Sequence, residues 1–161
     1  MGEPVRYIER IQCLYQGLGY PAYRWTVNET EPPWTPVTKP LRDCRLMLIA
    51  SGGIYLAGQV AFHYKDDSSY RAIPKDAPAS ALRATHFAYD LANARRDLRC
   101  VFPLETLRGL AAEGFFGELA SHAYTFMGGI YSTRRVNTEL APALVARAQE
   151  EKADLALLVP V

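Results

Sequence analysis

The sequence predicts an α/β fold: a single domain with a mainly parallel, open sheet of about four strands flanked by helices, preceded by a Pro/Trp-rich extended arm. Three observations lead there. The apolar runs "RLMLIASGG", "CVFPL", "AYTFMGG" and "LALLVPV" have strand length without alternation, the form taken by strands covered on both faces. Helical patterns lie between and before them, and strands alternating with helices imply parallel strands joined by crossovers. Small residues follow two of the runs, Ser51-Gly52-Gly53 and Met127-Gly128-Gly129, where open α/β sheets place their ligands.

At 161 residues the chain has room for one domain with a real core. The reading divides it into an N-terminal helix (1–19), a Pro-rich arm (20–43) and an α/β core (44–161). Val5, Ile8, Ile11, Tyr15 and Leu18 recur at helical spacing, and Gly19 supplies the stop. Five prolines in residues 20–43 forbid a long helix, while Tyr20, Tyr23, Trp25 and Trp34 predict an extended segment ordered by its aromatic rings. "RLMLIASGG" is the first strand. Residues 62–97 show no sustained period and read as a long irregular stretch, a form often used for function. Then come a short strand at "CVFPL" and a helix starting near Pro103, with Leu104, Leu107, Leu110 and Ala111 inward and Gly114 as its end. The strand ending at Gly128-Gly129 follows. A helix capped at Asn137 or Thr138 turns Leu140, Leu144, Val145 and Ala148 inward and leads into a buried final strand, Leu155 to Val161.

The formal charge is +1, from 18 basic and 17 acidic residues, so no global field recruits nucleic acid or an anionic membrane. The N-terminus lacks an apolar signal core and the longest apolar run is too short to span a bilayer, so the expectation is a soluble, cytoplasmic protein. Cys13, Cys44 and Cys100 are far apart and read as reduced thiols, Cys13 and Cys100 as core fillers and Cys44 in a polar, exposed setting.

His63, His86 and His122 form no compact ligand pattern, so no metal site is expected. His86 and Asp90 in "THFAYD" would be neighbours on a helical turn, and a carboxylate beside an imidazole suits acid–base work; a structural pair is the plain alternative. His122 precedes its strand and falls at the opposite end from the glycines. Ser51, Gly52, Gly53, Met127 and Gly128 are candidates for substrate contact because they lie at strand ends, with tight turns and core packing as their ordinary reading. Nucleophile elbow, phosphate loop and dinucleotide fingerprint are all missing from the sequence.

Taken in order, "VRYIERIQCLYQGLGYPAYRW", "PPWTPVTKPL", "LIASGGIYLAGQVAF", "LRATHFAYD", "FPLETLRGLAAEGFFGELA", "YTFMGGI" and "DLALLVPV" resemble the selenoprotein B family of glycine, sarcosine, betaine and D-proline reductases over nearly the whole chain. The resemblance implies a subunit that cleaves a C–N bond of a small amine or amino acid. In that family a selenocysteine or cysteine, followed two residues later by a cysteine, stands just after a strand like "LALLVPV". Its selenol or thiol attacks the carbon bearing the amine, and the second cysteine resolves the adduct through a mixed selenide–sulfide bond. The implied partners are a small-molecule substrate, a thioredoxin-like electron donor and a partner subunit with a pyruvoyl group; no cofactor is implied for residues 1–161 themselves. The pair would fall just beyond Val161, so the expectation is truncation at a selenocysteine codon, or a homologue without the motif. A non-catalytic binding or scaffold subunit of the same fold is the alternative function. An apolar face left bare by the last strand would favour homo-oligomers.

Overall fold

The computed structural model describes residues 3–22 and 27–161, and the chain divides into two compact units, Met1–Pro36 and Val37–Val161. The first holds one helix, α1 (Tyr7–Gly17), followed by Gly19 at φ +80°. No residue of α1 is buried, so its apolar stripe, including Ile8, Ile11 and Tyr15, faces solvent, and Cys13 is exposed rather than a core filler. Of the arm's aromatics, Tyr20 lies beside the Tyr15 ring at 5.8 Å and both it and Trp34 are exposed, while Tyr23 and Trp25 lie outside the described residues.

The second unit has the mixed α/β fold. Strand β1 (Arg45–Ala50) is its hub. On one flank β1 pairs in parallel with β7 (Leu155–Val159), from Leu46–Leu155 to Ala50–Val159. On the other it pairs in parallel first with the short β5 (Glu118–Leu119) and then with β6 (His122–Phe126). Strand β3 (Tyr70–Pro74) joins β6 antiparallel at the far edge, and β2 (Ile54–Leu56) forms a separate antiparallel ribbon with β4 (Leu82–Ala84). Strands β3 and β4 and helix α2 (Leu91–Arg96) therefore occupy the stretch that sequence periodicity left irregular.

Successive β1 side chains enter two cores. Leu48 and Ala50 pack with Ile73, Phe102 and helix α3 (Leu104–Ala112); Met47 and Ile49 pack with Tyr124, Leu140 and Leu144. A strand covered on both faces needs apolar residues at every position, which explains why "LMLIA" does not alternate. The α3 prediction holds: Leu104 and Leu107 are buried, Leu110 and Ala111 pack partly, and Gly114 sits at φ +75° just past the end.

Several expectations are corrected. "CVFPL" is no strand: the Asp97 carboxylate accepts the Arg99 N–H, which starts a tight turn at Leu98–Cys100 and drives Val101 and Phe102 into the core, leaving Cys100 exposed. Cys44 is fully buried, because the turn at Leu41–Asp43 folds "LRDCR" inward and the Gly117 backbone closes over it. The last helical region begins at Ser132, whose hydroxyl accepts the Arg135 N–H, well before Asn137. It runs through α4 (Thr133–Arg135) and a widened π-turn at Val136–Leu140 into α5 (Ala141–Glu150). Pro142 has no N–H to give the preceding turn, which accounts for the widening. Val145 faces solvent while Leu140 and Leu144 are buried. Finally, β7 is not a buried strand. Among the described residues it pairs only with β1, so Leu157 and Leu158 are exposed, and Leu158 lines an apolar cavity of about 380 Å³ against Leu144 and Ile49.

One half-buried polar network ties the end of α5 to the start of β6. Glu151 accepts the Ser121 N–H at 2.8 Å and the His122 ring Nδ1–H at 2.9 Å, with the Tyr124 hydroxyl at 3.4 Å. Burial pushes the Glu151 carboxyl up, but hydrogen bonds from His122 and Ser121 outweigh it and hold the pKa below its ordinary value. Burial, and then the Glu151 charge, push Tyr124 up to about 12. A carboxylate with a depressed native pKa contributes stability that is present above its unfolded pKa of about 4.3 and lost as pH falls through the native value. Glu151→Gln is expected to lower stability by about 1–2 kcal/mol at neutral pH. It should also flatten the acid limb of the stability profile, read from urea midpoints between neutral pH and pH ~3; an unchanged acid limb would contradict this assignment.

Candidate functional site at the carboxyl ends of the strands

Strands β1, β6 and β7 end side by side, and the residues after them interlock. The Ser51 N–H continues the β7 ladder to Val159 O at 3.1 Å, and Gly53 N–H reaches Phe126 O at 3.0 Å. Gly128 N–H returns to Ser51 O at 3.0 Å, and Gly52 and Met127 form a single antiparallel bridge. The Val161 N–H donates to Ser51 Oγ at 3.0 Å. The structure thus brings together Ser51, Gly52, Gly53, Met127 and Gly128, all five of the strand-end candidates.

The glycines are needed for close approach. Gly53 has φ +66°, and a Cβ there would lie 2.0 Å from Thr85 O. At Gly52 a Cβ would meet Val101 at 3.3 Å and Val161 at 3.4 Å, and at Gly128 it would meet Ser51 at 3.2 Å. Met127 is completely buried and acts as floor. Thr125, also fully buried, accepts the Ile54 N–H at 3.1 Å and so fixes the exit of the chain from the glycine turn.

The loop between β4 and α2 lies over this end. Thr85 N–H donates to Gly53 O at 3.0 Å, and the Tyr89 hydroxyl donates to Gly52 O at 2.9 Å. The Phe87 ring sits over Gly129, where a Cβ would lie 2.8 Å from it. His86, 7% exposed, packs between the Phe87 ring at 5.9 Å and the Tyr89 ring at 4.5 Å. Its Nδ1 accepts the Ala88 N–H at 3.0 Å, which leaves the proton of the neutral ring on Nε2. That Nε2 is buried and has no hydrogen-bond partner among the described residues. Burial lowers the His86 pKa and favours the neutral ring; it also raises the Tyr89 hydroxyl, with the nearby Cys100 adding to the shift.

The expected His86–Asp90 geometry is not met. Residues 85–90 are not helical; Asp90 is the N-cap of α2, and its carboxylate accepts the Ala92 N–H at 2.9 Å instead of approaching the imidazole. Asp and Ser side chains favour that capping position because their oxygens satisfy free N–H groups of the first turn. His122 lies at the amino end of β6, as its sequence position indicated, and is engaged with Glu151. Tyr89, Phe87 and Val101 complete the site without having been singled out, since a loop residue that bonds a distant glycine carbonyl leaves no periodic trace. Among the described residues no group of three or more His, Cys, Asp and Glu side chains is placed to hold a metal ion, and no helix is long and apolar enough to cross a membrane.

The site thus offers one unpaired imidazole N–H, a neutral donor, beside three converging strand ends. Gly53→Ala tests how tightly the loop is held to the strands. Its positive φ and the Thr85 carbonyl together predict a loss of at least about 2 kcal/mol in unfolding free energy, measured by urea denaturation, with Gly58→Ala, which meets no atom but shares the positive φ, losing about 1 kcal/mol. Equal losses at the two positions would mean that backbone strain alone, not the close approach, sets the cost.

The chain is 36% identical over 130 residues to D-proline reductase subunit gamma of Acetoanaerobium sticklandii, a match covering 80% of this chain and 54% of that protein. The chain therefore spans about half the length of this curated relative. It is related in sequence to a reductase subunit. No protein-family model matches the chain, and no solved structure matches it.

Proposed function

We propose that this chain forms the body of a reductase subunit that cleaves the C–N bond of D-proline or a related small amino acid, as a selenoprotein-B-like component of a larger complex. The observation that carries the reading is the 36% identity to D-proline reductase subunit gamma. The site geometry supports it: a small, largely apolar end of three strands, with one buried imidazole N–H free for a carboxylate.

A selenol or thiol with a second cysteine two residues on, joining the chain just beyond Val161, would supply the nucleophile and the resolving thiol. Such a pair would fit beside this site, because the Val161 N–H is bound to Ser51 Oγ and its side chain lies against Gly52. The roles left to the chain's own residues are binding and orientation. Gly52, Gly53 and Gly128 let the strand ends, Val101 and the loop before α2 close on one another, and Met127 closes the floor. His86 keeps its proton at Nε2 and offers that N–H as a hydrogen bond to the substrate carboxylate, staying neutral throughout because burial disfavours the cation. The Phe87 ring, 48% exposed, stacks on His86 and borders the imidazole on its solvent side. Asp90 serves as a helix cap that fixes the loop. Overall the C–N bond is replaced by C–H and N–H bonds, and the two electrons and protons come from a thioredoxin-like dithiol that leaves as its disulfide. A partner subunit with a pyruvoyl group would hold the amine, and a pool of reduced dithiols places the reaction in the cytoplasm.

The test begins with the nucleotide sequence after the Val161 codon, which should show a selenocysteine or cysteine codon and a cysteine codon soon after. The complete subunit, assembled with its partner and a dithiol, should open the ring of D-proline to the ω-amino acid. His86→Ala should cut kcat/KM by about 10²-fold with the fold intact, the usual cost of one donor to a developing or fixed negative charge. Downstream sequence with no cysteine would instead favour a scaffold subunit, and unchanged turnover in His86→Ala would remove the imidazole from the site.

A further inference from the structure

Away from the strand ends, α2, the turn at Leu98–Cys100 and the start of α3 enclose a cavity of about 430 Å³, and a second of about 340 Å³ adjoins it. Leu82, Arg95 and Leu98 line both, so the two run together as one groove. Its rim carries Arg83, Arg95, Arg96, Arg99 and Arg108 against only two carboxylates, Asp97 and Glu105, in a chain whose whole formal charge is +1.

The arginines are not equivalent. Arg99 is held in a fork on Asp97, with contacts of 2.7–3.1 Å, and Arg108 spends one nitrogen on the Lys75 and Ala77 carbonyls. Arg83 bonds the Ser80 and Leu82 carbonyls. Arg95 and Arg96 end α2 exposed, and their side chains form no hydrogen bond or ion pair with any other described residue. Their position complements the negative end of the α2 dipole, but a helix of six residues needs no second cation for that. Beneath the arginines the groove offers Leu98, which is partly covered, over Leu82, Phe102 and Leu104, which are nearly inaccessible.

We propose that this groove is a docking surface for an acidic segment of a protein partner, one that sets an apolar side chain on the floor and its carboxylates against Arg95 and Arg96. A free phosphate would meet one arginine pair and leave the Leu98 side of the groove unfilled. A nucleic acid would need a wider cationic field than a chain of formal charge +1 supplies. Guanidinium forks match carboxylates in pairs, and arginine is the cation preferred at protein interfaces. The groove also ends beside the strand-end site, since the turn that carries Arg99 continues into Cys100 and Val101, and Val101 lies against Gly52. A partner seated there is held next to the place where the reductase reading puts the chemistry, although the docking surface stands without that reading.

The experiment titrates the isotope-labelled chain with a synthetic Glu/Leu peptide, its Gln/Leu counterpart, inorganic pyrophosphate and a single-stranded oligonucleotide, following amide shifts. The Glu/Leu peptide is expected to perturb residues 82–84 and 94–108, to weaken steeply with added salt, and to bind at least about tenfold more weakly to Arg95→Glu/Arg96→Glu. The Gln/Leu peptide should not bind. Arg95→Gln/Arg96→Gln, which adds no repulsion, should fall between the two. Binding that ignores both double variants, no binding of the acidic peptide, or pyrophosphate or oligonucleotide binding as tightly as the peptide would each overturn the proposal. Loss of reductase turnover with peptide binding intact would retire the reductase reading alone.

Discussion

Everything in the second unit depends on β1 having both edges and both faces occupied. Its edges carry β7 on one side and β5 then β6 on the other, and its faces feed two separate cores. From Met47 to Ala50 a strand so placed tolerates no charge and little change of volume, because protein interiors are packed as densely as organic crystals. Its exit is equally constrained. When β1 stops at Ala50, the next residues must still satisfy backbone groups on β6 and β7, and Ser51, Gly52 and Gly53 do so with hydrogen bonds in both directions. The candidate site is what remains at the end of a strand that has no free surface elsewhere.

How much of this was legible in the sequence follows from which forces act locally. The fold class was legible because doubly covered strands need continuous apolar runs, and the five strand-end candidates were legible because chain direction alone puts them at one end. The α3 stripe and the glycine after it are set within one helix and were read correctly. What failed was decided by partners far away in the chain. Cys44 is buried by Gly117, a residue remote in sequence, and the exposure of β7 depends on which strand lies beside it. Strand β3 follows from its register with β6, which a polar segment like "SYRAIP" does not announce. Asp90 was misjudged for a different reason. Both a helix neighbour of His86 and an N-cap are good local uses of an aspartate, and the capping hydrogen bond won because the helix starts at Leu91.

The relation to a reductase subunit and the site geometry bear on different questions. Identity over most of the chain speaks for shared ancestry and does not by itself assign a role to any side chain. The side chains speak through His86. A buried donor without a partner costs on the order of 1–3 kcal/mol, and a fold keeps such a group where something repays that cost. The Ala88 N–H on Nδ1 makes the ring a poor candidate for a shuttle, since taking a proton at Nδ1 would break that bond. A fixed, neutral donor is the role the contacts favour over the acid–base pair expected from "THFAYD".

The segment from Thr85 to Val101 joins the two surfaces. Its first part lays His86, Phe87 and Tyr89 over the strand ends, and its second part carries Arg95, Arg96 and Arg99 along the groove. Both ends of the segment converge on one residue: the Tyr89 hydroxyl bonds the Gly52 carbonyl, and Val101 packs where a Gly52 side chain would stand. The arginine rim is therefore joined to the strand ends by a short covalent path, from Arg99 through Cys100 to Val101. Between those anchors the segment is held mainly by its own helix, α2, and by Ala94, its one fully buried residue. Ala94 and Val101 belong to the core that Leu48 and Ala50 of β1 enter, so the segment is tied to the sheet by packing as well as by the Tyr89 hydrogen bond.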